Sequence, residues 1–243
     1  MSPMFFFFIS FENSIDSINS LCYAIFQRMM KMKKTTLKER IIETALVLFE
    51  KNGYHGVTVD QIVIASGTSK GGFYHNFKSK DELLYYIHDV FISYVLEKAR
   101  EAYANFDTPV SRLCAIIQSF TKVFDLYKPH ITVFYQESMY LTHEFNQRIN
   151  EKRDNYRELI TQVIREGQEV GDFRAEIPAE ISTMAIIGMV NWTYKWFNKD
   201  GPLTIESIAL IFNDLLLHSL LTEKTMNQEN VQSYLIKGQP LEK

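Results

Sequence analysis

The chain has 243 residues, 46% hydrophobic and 23% charged, with 26 Lys and Arg against 29 Asp and Glu for a net charge of −3. That fits one or two domains of ordinary globular composition. The two cysteines, Cys22 and Cys114, stand in unrelated contexts; they exclude a disulfide framework and a CxxC-type metal site and fit a reducing, cytoplasmic setting. Aromatic residues make up 14% of the chain, enough for a large core or an aromatic-lined pocket. As an average, the mild acidity argues against a nucleic-acid partner.

Residues 1–32 read as an extension. Phe5 to Phe8, Ile9 and Phe11 form an apolar cluster without a preceding cation or a small-residue cleavage site, so no signal peptide is expected. The cluster is far shorter than the roughly 20 apolar residues that span a bilayer, so no membrane association is expected. Met29, Met30 and Met32 precede the basic run Lys31, Lys33 and Lys34, which points to a translation start near Met29. An amphipathic arm, with Ile15, Ile18, Leu21 and Ile25 spaced three to four apart, is the alternative.

Next come three capping boxes, Thr36 to Glu39, Thr58 to Gln61 and Ser79 to Glu82, each predicting a helix start. The first helix runs over about 37–52 and stops at Asn52-Gly53. The second is about two turns long and ends at Ser66-Gly67; a third, over about 69–75, must fit before Ser79. Helix, tight glycine turn and helix, both short, is the layout of a helix-turn-helix. Ser69, Lys70, Gly71, Gly72, Tyr74 and His75 combine small residues with donors, as a helix lying deep in a major groove requires, while Phe73 and Phe77 anchor it. Over 33–81 there are eight Lys and Arg against five Asp and Glu, so positive charge sits on the segment that reads as a groove binder.

The stretch Leu37 to Leu84, above all TVDQIVIASGTSKGGFYHNFKSKDELL, resembles the DNA-binding domain of the TetR family of one-component repressors. The resemblance implies that Thr58, Tyr74 and Lys80 hold phosphates, while Ser69, Lys70, Gly72 and His75 face bases or their flanking backbone. Ile64 stands where the family often has a cation, Ser66 where it usually has alanine, and Gly72 where it often has threonine.

Between Gly72 and Gly167 there is no glycine, and only Pro109 and Pro129 interrupt, so long helices follow. They are predicted at about 80–105, 109–127, 129–141, 143–169, 178–199 and 204–222, leaving 223–243 as a C-terminal tail. The expected fold is all-α, an N-terminal three-helix helix-turn-helix domain over 33–80 followed by a larger helical ligand-binding and dimerisation domain over 81–222. The last two long helices are apolar over most of their surface and need cover on two sides, which a homodimer supplies. Two recognition helices would then reach successive major grooves of a near-palindromic double-stranded operator.

Phe120, Phe124, Phe134 and Met139, with Trp192 and Trp196, are the candidate lining of a pocket for a small apolar ligand. Gly188 to Trp196, with Phe197 and Asp200-Gly201, is similar to the C-terminal region of FadR-type members of the same family. That likeness implies an acyl-CoA ligand, with Arg148, Arg153, Arg157 and Lys195 as candidates for its phosphates and Arg157 as the ligand-binding cation. The chain lacks GxSxG, HExxH and phosphate-loop motifs, and its six histidines are scattered, so no catalytic residue, metal site or cofactor is expected. A small all-α enzyme, or an apolar-ligand carrier with a vestigial helix-turn-helix, are the competing readings.

Overall fold

The computed structural model describes residues 36–126 and 128–236; the expectations for residues 1–32 lie outside them. Two compact units divide after Leu84.

The first unit contains α1 (Leu37–Asn52), α2 (Val59–Ala65) and α3 (Lys70–Asn76). Thr36 and Glu39 form a reciprocal capping box at the start of α1, and Thr58 and Gln61 do the same at α2. After α2, Gly67 takes a φ of 62°, which a Cβ would disfavour. The amide of Thr68 bonds the carbonyl of Val63 at 3.1 Å and that of Gly67 the carbonyl of Ile64 at 3.2 Å, closing α2 in a Schellman motif. Ser69 then caps α3, its Oγ accepting from the Gly72 amide at 3.0 Å. Ile41, Ala45, Phe49, Ile62, Phe73 and Phe77 are buried together as the core, and the last two are the anchors expected of α3.

Helix α4 (Lys80–Asn105) begins in the first unit. Ser79 caps it through the Glu82 amide at 3.1 Å, but the Glu82 carboxylate accepts from the amide of Lys78 rather than Ser79, so the third box is only half formed. The second unit holds the rest of α4 with α5 (Pro109–Leu126), α6 (Lys128–Gln136), α7 (His143–Glu169), α8 (Ala179–Trp196) and α9 (Ile205–Leu220). Helix α5 packs against α7, α8 and α9, and its Leu113, Ile116, Ile117 and Val123 are almost fully enclosed. These residues form one broad apolar face, while Ser111, Gln118 and Lys122 keep the opposite side polar.

Helix α9 buries Ile205, Ile208, Phe212, Leu216, Leu217 and Leu220 within the chain and leaves Leu210 and Leu215 exposed. Two expectations change. The helix predicted over 129–141 stops at Gln136 and gives way to a 3-10 turn, Ser138–Tyr140. The stretch predicted as a tail from residue 223 instead forms α10 (Glu223–Met226) and a 3-10 turn, Gln232–Tyr234. It folds back because Val231 is an apolar residue buried to 1% exposure, and the Ile236 amide reaches Asp214 Oδ1 at 2.8 Å. Among the described residues there is no strand beyond an isolated bridge between Phe173 and Leu221, and no helix is long and apolar enough to cross a membrane.

Candidate nucleic-acid interface and ligand cavity

On the first unit, Thr58, Ser69, Lys70, Tyr74 and His75 are exposed, while Gly72 and Lys80 are half-buried. Tyr74 leans its ring edge-on against Phe73, 5.3 Å between centroids, and keeps 53% of its surface open. Lys70 pairs with Asp60 at 2.9 Å, joining the starts of α2 and α3 across the turn; its hydrogen bond to that carboxylate raises the ammonium above its ordinary range. Both members are exposed, so phosphate can compete for the ammonium. Ile64 is 79% exposed, an apolar side chain on the outer surface of α2.

Lys80 is placed differently from the phosphate contact expected of it. Its ammonium donates to the carbonyls of Tyr54 at 2.9 Å and Val57 at 2.7 Å, and lies 4.1 Å from the centre of the Tyr54 ring. Burial lowers its pKa and the neighbouring Asp81 opposes that shift. The Tyr54 hydroxyl in turn donates to Asp81 at 2.5 Å. Lys80 therefore ties the segment before α2 to the start of α4.

In the second unit a cavity of about 400 Å³ lies among residues of α4 to α8, a size typical of small-molecule sites. Helix α4 contributes Phe91, Ile92 and Val95, α5 contributes Phe120, α6 contributes Phe134 and Tyr135, and Met184, Ile187 and Asn191 come from α8. Arg153, Tyr156 and Arg157 enter from α7. Burial pushes the phenols of Tyr135 and Tyr156 above their ordinary range, which keeps both neutral. It also lowers the Arg153 guanidinium, an effect that Tyr135 opposes.

Of the ligand residues expected from the sequence, Phe120, Phe134 and Arg157 line the cavity; Phe124, Met139, Trp192 and Trp196 do not. Phe124 is buried one turn below Phe120 in the core, and Met139, in the 3-10 turn, is 76% exposed. Trp192 and Trp196 are 61% and 49% exposed, because the helical repeat of α8 puts them on one stripe with Ile181, Met184 and Gly188. Of the four proposed phosphate cations, Arg153 and Arg157 reach the cavity, whereas Arg148 pairs with Glu144 at 2.6 Å and neither it nor Lys195 lines it. The α4 part of the lining carries no mark of its own in the sequence. Its Phe91 and Val95 repeat at helical spacing, but nothing local separates a cavity wall from a core face.

Residues 41–87 match the family described as "Bacterial regulatory proteins, tetR family", and residues 107–220 match "Tetracyclin repressor-like, C-terminal domain". The structure of the TetR family transcriptional regulator PfmR from Thermus thermophilus superimposes with a TM-score of 0.69 at 30% identity, covering 75% of this chain and 100% of that one. The chain belongs to the TetR family. This TetR family member is also 24% identical to the HTH-type transcriptional repressor KstR2 of Rhodococcus jostii (strain RHA1), over 77% of its own length and 92% of the relative. A structure of AibR with isovaleryl coenzyme A and operator DNA matches it with a TM-score of 0.68 at 26% identity, over 75% of this chain and 98% of that one. As a member of this family, the protein is a DNA-binding regulator of transcription.

Proposed function

We propose that this cytoplasmic protein works as a homodimeric repressor, released from a near-palindromic operator when an acyl ligand such as an acyl-CoA enters the cavity. The observation that carries this reading is the role of α4. The helix that starts at Lys80 in the DNA-binding unit also provides Phe91, Ile92 and Val95 to the cavity wall. A ligand that binds one placement of α4 better than another shifts the protein between DNA-competent and DNA-incompetent states. A tenfold loss of operator affinity requires about 1.4 kcal/mol of such coupling. AibR, solved with an acyl-CoA and operator DNA together, supports the ligand class.

In this reading Thr58 and Tyr74 hold phosphates, Ser69, Lys70, Gly72 and His75 face the bases, and Lys80 fixes the segment before α2. Dimerisation uses α8 and α9, where Ile181, Met184, Trp192, Trp196, Leu210 and Leu215 leave apolar surface exposed. A gel shift with the DNA flanking the gene, with and without medium-chain acyl-CoA, tests the proposal. Bound DNA that the thioester releases is the expected outcome. No shift on that DNA or on a selected random pool at low salt would refute it.

A further inference from the structure

The cavity holds a cation without a counter-ion. Among the described residues no carboxylate pairs with Arg153, whose only side-chain hydrogen bond is a long one, 3.4 Å, to Asn150 Oδ1. Its neighbour Arg157 differs, being paired with Asp154 at 3.0 Å. The Arg153 guanidinium carbon lies 4.4 Å from the centre of the buried Phe134 ring, which holds it against the cavity wall. A second polar group in the lining is also unsatisfied: Oδ1 of Asn191 is buried and accepts no hydrogen bond. A half-buried cation in apolar surroundings is costly unless an anion and hydrogen-bond acceptors meet it. Its planar fork matches two oxygens of one anion.

Volume limits what can supply those oxygens. At about 30 Å³ per water-sized group, a cavity of about 400 Å³ takes roughly a dozen non-hydrogen atoms. That accommodates a medium-chain acid whole, while a coenzyme A nucleotide would have to lie outside it.

Building on the effector-site reading above, we propose that Arg153 selects an amphiphilic ligand by binding its anionic oxygens, with Asn191 as a second polar contact and the apolar part lodged among Phe91, Ile92, Val95 and Phe120. The anion is the carboxylate of a free acid or a phosphate of a coenzyme A thioester; the two share the chemistry that Arg153 recognises. A neutral amphiphile of the same length leaves the guanidinium unpaired and is rejected.

Calorimetric titration of the full-length protein with decanoic acid, decanoyl-CoA and decanol tests this. The wild type is expected to bind the acid or the thioester at least tenfold more tightly than decanol, and the tighter of the two identifies the anion's source. Arg153→Met is expected to lose at least tenfold in affinity for that ligand, equivalent to about 1.4 kcal/mol, and to bind decanol at least as well as the wild type does. Arg153→Lys keeps the charge without the fork and falls between. Wild-type protein that binds decanol as tightly as the anionic ligands, or Arg153→Met that binds them unchanged, overturns the proposal and leaves the effector site intact. Failure of all three ligands to bind the wild type removes both. If Arg153→Met does not fold, the wild-type comparison and Arg153→Lys still decide.

Discussion

The ammonium of Lys80 stands 2.7 Å from the carbonyl of Val57, the residue just before the Thr58 cap of α2. A side chain at the start of α4 thus holds the entry to the first helix of the helix-turn-helix. Lys80→Met is expected to destabilise the DNA-binding unit by about 1–3 kcal/mol, since hydrogen bonds to a charged donor are lost. Operator affinity should fall evenly across sequences while its salt dependence stays unchanged. A residue that neutralised one phosphate would lower the slope of log K against log salt by about 0.9 when removed. Salt titrations by fluorescence anisotropy measure the difference.

Tyr74 and His75 are adjacent and exposed, yet different effects are expected of them. Tyr74→Phe removes the hydroxyl proposed above to hold a phosphate and should weaken all operators alike, by about 0.5–1.5 kcal/mol. His75→Ala should change the order of preference among variant operators. Binding to a randomised pool, sequenced before and after selection, separates the two; equal and uniform losses would contradict this division.

A Cβ added to Gly72 would stand 2.5 Å from Thr68 Oγ1 and 3.3 Å from Leu37 Cδ2. Gly72→Ala is therefore expected to cost about 1–3 kcal/mol through overpacking, although α3 would otherwise favour alanine. Thr68→Ala removes the closer atom, so the double variant should recover part of the loss. Denaturant melts of the four proteins give the coupling energy.

Gly188 lies at the middle of the exposed α8 stripe of Ile181, Met184, Trp192 and Trp196, and a Cβ there meets nothing within 4 Å in its own chain. A small residue at that point allows two α8 helices to approach closely. Gly188→Leu is expected to leave the fold intact while dissociating the dimer and weakening operator binding at least tenfold. Light scattering coupled to gel filtration, with a thermal melt as control, tests it.

Burial pushes the His130 imidazole down to about 4 from an ordinary value of 6.5. As pH falls below 6.5 the unfolded chain takes up a proton that the folded one refuses, so stability is complete above that pH and is lost progressively down to about 4. The loss amounts to up to about 3 kcal/mol. His130→Gln should flatten this part of the stability profile, as followed by urea melts between pH 7 and 4.

The helix-turn-helix was legible because its instructions are local. Thr36 with Glu39 and Thr58 with Gln61 cap helices through bonds that span three residues, and Gly67 answers a single backbone angle. The helix over Lys80–Asn105 was equally readable, as its long interval free of glycine and proline has little other conformation open to it. Neither the Glu82 carboxylate's choice of the Lys78 amide nor the partners of Lys80 could be read this way. A cap residue's spacing does not say which amide lies nearer, and a lysine's stem reaches several acceptors.

The ligand cavity shows the limit from the other side. Phe120, Phe134 and Arg157 line it, as their helical spacing allowed, but Trp192 and Trp196 face outward and, among the described residues, it is Arg153 and not Arg157 that lacks a carboxylate partner. An aromatic stripe says that a helix has an apolar face; it does not say whether core, cavity or a second chain covers it. By itself the amino-acid order determined where helices start and stop and that a basic helix-turn-helix precedes an acidic helical body, because capping, turn geometry and charge act over a few neighbouring residues. The pairing of helix faces, the cavity wall drawn from five helices and the separation of Arg153 from every carboxylate among the described residues were decided only by tertiary packing, where groups far apart in sequence compete for the same neighbours.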